Sequence, residues 1–181
     1  MEADWEFEIG GDAPVIEARW SGFVDLREHP HQARELTEAR QLPGLADALA
    51  RLNAPSSPVW TSKTDVFDPG SLDTDELDAT REEAKHAIAC YVDLLMRSDQ
   101  QWSCPLQAER YCRALCEDLR DIPLRCCRVD LVVRRALIDP ERDDLGATAY
   151  FTACGRSDGD ARACLAECLA AFTAAIVTAP Q

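Results

Sequence analysis

The most constraining feature of the sequence is a run of alternating apolar and polar residues between Cys126 and Ile138. Side chains of a β-strand point alternately to its two faces, so a period of two predicts a strand with one buried face. Residues 145–154 supply a second apolar face after a polar loop at 139–144, which predicts a β-hairpin. The alternation sets Cys127, Val129, Leu131 and Val133 against Arg128, Asp130 and Arg134.

Shorter segments also favour strands. Residues 4–9 alternate in the same way, and the glycines at 10–11 that follow predict a hairpin with a strand at 15–20. A short strand at 23–26 continues this region. Residues 59–67 are rich in β-formers and end at an Asp-Pro-Gly turn, so they predict another strand.

Five segments favour helix; two of them begin with a capping pair, and Pro105 suits the first turn of a third. In the longest, Asp73 and Glu76 have the spacing of a capping pair, and apolar residues recur three and four positions apart. Ser157 and Asp160 repeat the capping spacing before the last helix. The predicted helices lie near 31–40, 44–53, 74–97 and 105–121, and from Ser157 to about residue 178.

The order of these elements is ββ-α-β-αα-ββ-α, which is neither a regular βαβ alternation nor an all-β pattern. No predicted strand is a continuous apolar run, so a mainly antiparallel sheet is favoured over a doubly wound parallel one. The sequence therefore predicts a single α+β domain spanning residues 1–181, with about five strands and helices packed on one face.

The charge balance restricts the partners. The chain has 19 Lys and Arg against 33 Asp and Glu, a formal net charge of −14. Nucleic acids and anionic membranes bind proteins through clustered cations, so neither is an expected partner. The N-terminus has no basic and apolar leader, and nine cysteines are an odd number for a disulfide scaffold. We therefore expect a cytoplasmic protein with reduced thiols.

The cysteines and histidines offer weak metal-binding patterns. Cys112 and Cys116 are four residues apart in one predicted helix, and Cys164 and Cys168 repeat that spacing in another. The chain contains no Cys-x-x-Cys pair, so we interpret Cys112, Cys164 and Cys168 as small core residues. His29 and His31, which are separated by Pro30, are interpreted as part of a solvated turn before a helix. We expect no metal and no cofactor.

The polar face of the predicted sheet is the preferred site. One of the two lysines of the chain lies in the middle of a strand, among hydroxyls and an aspartate. A basic group there can hold a carboxylate or phosphate, and an aspartate can act as an acid or base. The alternative is an ordinary solvated face with cross-strand ion pairs. The candidate ligand-binding residues are Trp60, Lys63, Asp65, Arg128, Asp130 and Tyr150.

No motif names a reaction: the dinucleotide glycine pattern, the phosphate loop and the common hydrolase signatures are all missing. The preferred hypothesis is an acidic module that binds another protein, and the sequence leaves open whether a second copy of the chain is the partner. The alternative is an enzyme or small-ligand binder that uses the polar sheet face. A third hypothesis assigns metal or thiol chemistry to the helix cysteines. Whether the protein is an enzyme stays open.

Overall fold

A computed structural model describes residues 1–97, 102, 104–139 and 142–178. These residues form a six-stranded sheet and four α-helices, preceded by a 3-10 helix at Pro30–Glu35. The strands are β1 (Glu2–Glu8), β2 (Ile16–Glu17), β3 (Val59–Phe67), β4 (His86–Met96), β5 (Cys127–Asp139) and β6 (Arg142–Gly155). The helices are α1 (Thr37–Gln41), α2 (Leu45–Leu52), α3 (Pro105–Arg120) and α4 (Asp158–Thr178).

The sheet has the order β1-β5-β6-β4-β3, and β2 pairs with β5 beyond the end of β1. The β3–β4, β4–β6 and β5–β6 pairs are antiparallel, whereas β1 and β2 run parallel to β5. The predicted fold class, an α+β domain with a mainly antiparallel sheet, is confirmed. The predicted β5–β6 hairpin is also confirmed, although the tip of its loop, at 140–141, lies outside the described residues.

One face of the sheet carries the main core. Helix α4 packs there on the apolar side chains that alternate along β4, β5 and β6, while α3 packs on β1 and α4, and α2 on β3 and α4. The Phe172 ring of α4 meets the Phe151 ring of β6 edge to face, with centroids 4.9 Å apart. Ser157 and Asp160 form the predicted cap of α4: the Asp160 amide donates to the Ser157 hydroxyl, and the Ser157 amide donates to the Asp160 carboxylate.

Helix α4 has the length and apolar composition of a membrane span. Buried core helices satisfy the same two criteria. In this structure α4 packs against the sheet through side chains that include Leu165, Leu169 and Ile176.

The predicted hairpin between residues 4–9 and 15–20 is wrong. Instead, β1 and β2 follow each other along the same edge of β5. This arrangement places acidic side chains of β1 beside basic ones of β5: Glu8 accepts hydrogen bonds from Arg134, and Asp4 lies within 4.0 Å of Arg128. Cross-strand charge pairing, which the isolated N-terminal pattern does not reveal, accounts for the difference.

The predicted helix at 74–97 is also wrong. Residues 86–96 form β4, a central strand between β6 and β3, and the preceding residues form turns. The Asp73 carboxylate accepts from the Asp75 amide in such a turn and caps no helix. Because β4 is buried on both faces, its apolar residues satisfy the helical spacing as well as the strand spacing, and the sequence pattern could not separate the two.

The sheet is curled, so that the face away from the helices is concave. In a flat sheet, β2 and β3 would be four strand spacings apart, or roughly 19 Å. Here the Ser62 hydroxyl donates to the Glu17 carbonyl, and the Lys63 ammonium lies 3.5 Å from the Glu17 carboxylate. Gly146 lies on the inner side of the curl, where an added Cβ would come within 2.9 Å of the Leu94 carbonyl oxygen. Glycine permits this close approach.

Residues 18–27, called the strap below, cross one end of the concave face. Phe23 and Ala18 pack on a small apolar cluster that includes Trp60 and Leu95. The strap is built from turns, and the strand predicted at 23–26 is absent from it. It closes one end of the concave face and leaves polar side chains at the other.

Candidate ligand site on the concave face

A bulge in β3 shapes the site. The pairing of β3 with β4 shifts register between Thr61 and Thr64, so Ser62 and Lys63 leave the regular ladder. Buried Asn53, just after α2, holds the start of the bulge: its amide nitrogen donates to the Thr61 hydroxyl at 2.7 Å, and its carbonyl oxygen accepts from the Thr61 amide at 3.1 Å. The bulge re-aims the side chains that follow it.

A cavity of about 280 Å³ lies between this bulge and the strap. It is larger than the roughly 150 Å³ of an engineered cavity that holds benzene. The apolar part of the lining comes from Trp20, Val24, Leu26, Leu36 and Leu49. The polar part includes Glu38, Ser62, Lys63, Asp65 and Tyr91. Apolar walls with a few polar groups are the usual composition of a small-molecule site.

A chain of polar side chains continues from the cavity across the concave face. Tyr91 lies beside Tyr150, with ring centroids 5.9 Å apart. Arg134 donates to the Tyr150 hydroxyl at 3.0 Å and to the Thr148 hydroxyl at 2.9 Å. Thr148 in turn donates to the Asp93 carboxylate at 2.7 Å. Together with Glu8, which also accepts from Arg134, these side chains form what we call the Arg134 network.

Burial changes the acidity of two groups in this region. The Asp93 residue is only 6% exposed, and burial raises the pKa of its carboxyl group against the opposing effects of Thr148, Arg134 and Lys63. Burial, followed by the nearby Asp93 carboxylate, also raises the pKa of the Tyr91 phenol. A neutral phenol at Tyr91 and a carboxyl group that resists ionisation therefore lie next to the cavity.

The raised pKa of Asp93 makes a testable prediction about stability. The folded protein retains the Asp93 proton to higher pH than the unfolded chain, so the contribution of Asp93 to stability falls as pH rises from its ordinary pKa of 3.8 toward the folded value. We expect Asp93→Asn to raise the free energy of unfolding at pH 7 by roughly 1 kcal/mol. The gain should shrink as pH is lowered toward 4.

Urea denaturation between pH 4 and pH 8 measures this effect. Asp118→Asn is the matched control, because it removes an exposed carboxylate of α3. A loss of stability in Asp93→Asn at pH 7 would mean that Thr148 and Arg134 stabilise the ionised carboxylate by more than burial disfavours it.

The six residues named from the sequence are distributed across this region. Lys63 and Asp65 line the cavity, and Tyr150 contacts it through Tyr91. Trp60 does not line it: only 3% exposed, it packs under the strap, with the Arg27 guanidinium 3.9 Å from its ring centroid. Its role in the structure is to hold the strap in place.

Arg128 and Asp130 lie on the same face, nearer to β1. The Arg128 guanidinium is 2.7 Å from the Asp130 carboxylate and also lies within 4.0 Å of Asp4 and Glu76. Desolvation raises the pKa of Asp130, and the hydrogen bond from Arg128 opposes the shift. Of these contacts, only the one with Asp4 joins two strands, because Asp130 lies two residues from Arg128 on β5 and Glu76 lies in no strand. Ligand binding by Arg128 and Asp130 stays a prediction.

The cysteines and histidines do not form a site of this kind. Burial raises the pKa of both Cys112 and Cys116 to about 12, which opposes thiolate chemistry. Within the described ranges, no group of three His, Cys, Asp or Glu side chains is arranged to hold a metal ion. The rings of His29 and His31 lie 5.9 Å apart at the start of the 3-10 helix, as expected for a turn.

Sequence reasoning missed Tyr91, Asp93, Trp20 and Glu38. The first two were assigned to a helix, because β4 is buried on both faces and its apolar residues also fit helical spacing. Trp20 and Glu38 belong to the strap and to the short helix α1. No local pattern places them beside β3.

Comparisons with known proteins assign no family to this chain: no family model, no curated protein and no solved structure matches it.

Proposed function

We propose that this protein binds a small molecule in the cavity between the strap and the β3 bulge. The observation that carries the proposal is the composition of that cavity: about 280 Å³ of space with an apolar wall and the side chains of Lys63, Asp65 and Tyr91 along it. A few polar groups on an apolar wall orient a ligand, and burial of its apolar part supplies affinity.

The surroundings of the cavity support the same function. The Lys63 side chain is held by Glu17, and Asn53 fixes the bulge that carries it, so the polar groups are positioned before any ligand arrives. Preorganisation of this kind reduces the entropy lost on binding. In this proposal the protein works in the cytoplasm, where its cysteines stay as thiols.

Thermal unfolding in the presence of a library of small cations, anions and neutral compounds tests the proposal. A ligand at one hundred times its Kd stabilises the folded state by about 2.7 kcal/mol. For a chain of this length, that corresponds to a rise of roughly 7 °C in Tm. We expect at least one compound class to give such a rise with the wild-type protein.

Two variants locate the binding. Val24 is 37% exposed and lines the cavity, so Val24→Trp should fill part of it and abolish the rise in Tm. Leu106→Trp adds the same side chain at a residue of α3 that is 53% exposed, and it should leave the rise unchanged. The proposal fails if no compound raises Tm, or if Val24→Trp responds as the wild type does.

The unpaired edge of β1 favours a second candidate function, which is binding of a protein with a basic surface. This strand pairs with β5 on one side, and no strand of the described chain pairs with its other side. Glu2 and Glu6 of this strand form no ion pair among the described residues, and the side chains of Phe7 and of Ile9, just beyond β1, are 36% and 43% accessible. A strand of a basic partner could extend the sheet there.

Capture of proteins from a lysate of its own cells tests the second candidate. A partner that binds the wild type and the Leu106→Lys variant, and is lost with the Phe7→Lys variant, would support binding at β1. A partner retained equally by all three proteins would exclude this edge, and a second copy of the chain would appear as a homodimer in the same experiment.

A further inference from the structure

We infer that the ligand of the strap cavity is a small organic cation with an apolar body, such as a protonated aromatic amine. This inference rests on the proposed function and names the class of its ligand. It follows from how the charges at the cavity are paired, from the two aromatic rings that line it and from its apolar wall.

The carboxylates of the cavity lack a cationic partner. Glu38 and Asp65 both line it, and among the described residues no Lys, Arg or His side chain forms an ion pair with either. Within the described part of the chain, the Asp65 carboxylate accepts a hydrogen bond from the backbone amide of Val66 alone. Both carboxylates also lie close enough to Tyr91 to contribute to its raised pKa, after burial itself and Asp93.

The one basic residue in the described lining already has an acidic partner. The Lys63 ammonium is 3.5 Å from the Glu17 carboxylate, which lies outside the cavity lining. An anionic ligand would therefore meet Glu38 and Asp65 while competing with Glu17 for Lys63. Like charges brought together at a partly desolvated site oppose binding, whereas a cation would be attracted by both carboxylates.

The aromatic rings complete a cation site. Trp20 is 39% exposed at the cavity, and its ring centroid already lies 5.8 Å from the Lys63 ammonium. Tyr91 presents a second ring. The faces of aromatic rings attract cations, and a cation between rings and carboxylates gains from both. The net charge of −14 adds a field that concentrates cations around the protein.

The apolar residues of the lining determine the uncharged part of the ligand. Val24 is exposed and Leu36 half-buried at the cavity, and Leu26 and Leu49 are buried behind its surface. The volume of about 280 Å³ accommodates a body the size of a six-membered ring together with a short chain. A bare metal ion or ammonium would leave the exposed apolar surface of Val24 and Trp20 in contact with water.

Three probes of similar size and different charge test the inference: 2-phenylethylamine, which is protonated at pH 7, neutral 2-phenylethanol, and anionic 3-phenylpropanoate. Isothermal titration calorimetry at low ionic strength measures their affinities for the wild-type protein. We expect the amine to bind about tenfold more tightly than the alcohol, the increment of a favourable cation–π and carboxylate contact. The acid should bind most weakly.

Matched variants assign the effect to the two carboxylates. Asp65→Asn and Glu38→Gln should each weaken the amine several-fold and leave the alcohol unchanged, whereas Asp118→Asn, on the exposed surface of α3, should alter neither. Tightest binding of the acid, lost in Lys63→Ala, would overturn the inference and retain the proposed cavity function. Absence of binding by all three probes, together with no rise in Tm for any compound class, would overturn both.

Discussion

Substitution of Gly155 by alanine is expected to destabilise the fold by about 3 kcal/mol. Gly155 ends β6, where the first turn of α4 lies directly on the backbone of the strand. An added Cβ would come within 2.5 Å of the Ala161 amide nitrogen and 2.8 Å of the Asp160 carbonyl carbon. Both are backbone atoms, so α4 itself would have to move. That shift would disturb the contact of Phe172 with Phe151 in the main core.

Gly159→Ala is the matched control for this prediction. It makes the same chemical change four residues later, in the first turn of α4, where an added Cβ meets nothing closer than the Ser157 hydroxyl at 3.8 Å. Alanine favours helix over glycine, so this variant should be neutral or more stable by up to about 1 kcal/mol. Chemical denaturation measures both. Equal stabilities of the two variants would contradict the close packing of α4 on the end of β6.

Removal of Arg134 is the second substitution with a large expected effect. Its side chain is 13% exposed and donates to Glu8, Thr148 and Tyr150. Arg134→Met would keep much of the apolar stem and remove a positive charge that favours the ionised form of the buried Asp93 carboxyl group. Loss of one partner from a largely buried charge network typically costs about 3 kcal/mol.

A double-mutant cycle separates this effect from loss of packing. In Arg134→Met, the penalty arises partly because the Asp93 carboxylate loses a favourable charge, so adding Asp93→Asn should recover part of the stability. Arg113→Met is the control: its ion pair with Glu109 is exposed, and its loss should change stability by no more than about 0.5 kcal/mol. Strict additivity of the two substitutions at the Arg134 network would contradict coupling between Arg134 and Asp93.

The regular elements with one exposed side could be predicted from the sequence. Strand β5 and helix α3 each bury one side, so their periodicity is visible in the residues. Strand β3 was recognised by its β-forming residues and the turn after it, and the start of α4 by its capping pair. The same periodicity predicted that Arg128, Asp130 and Tyr150 share a face, and the cross-strand register pairs Asp130 with Tyr150.

The curled shape of the sheet could not be predicted in this way, nor could the part of the cavity that the strap and α1 form. The register shift after Thr61 turns that residue toward Asn53 and re-aims Lys63, against the simple alternation expected along β3. The approach of β2 to β3 depends on contacts between residues 45 positions apart, such as Ser62 with Glu17. Contacts of that kind come from tertiary packing and leave no local pattern.

Native mass spectrometry of the protein purified gently from its own cells tests the binding of a small molecule in the strap cavity most directly. We predict a bound mass of roughly 100–200 daltons on the wild type and on Leu106→Trp, the size of ligand that a cavity of about 280 Å³ takes. The mass should be absent from Val24→Trp. A bare chain in all three proteins, or a bound mass that persists undiminished in Val24→Trp, would contradict the proposed site.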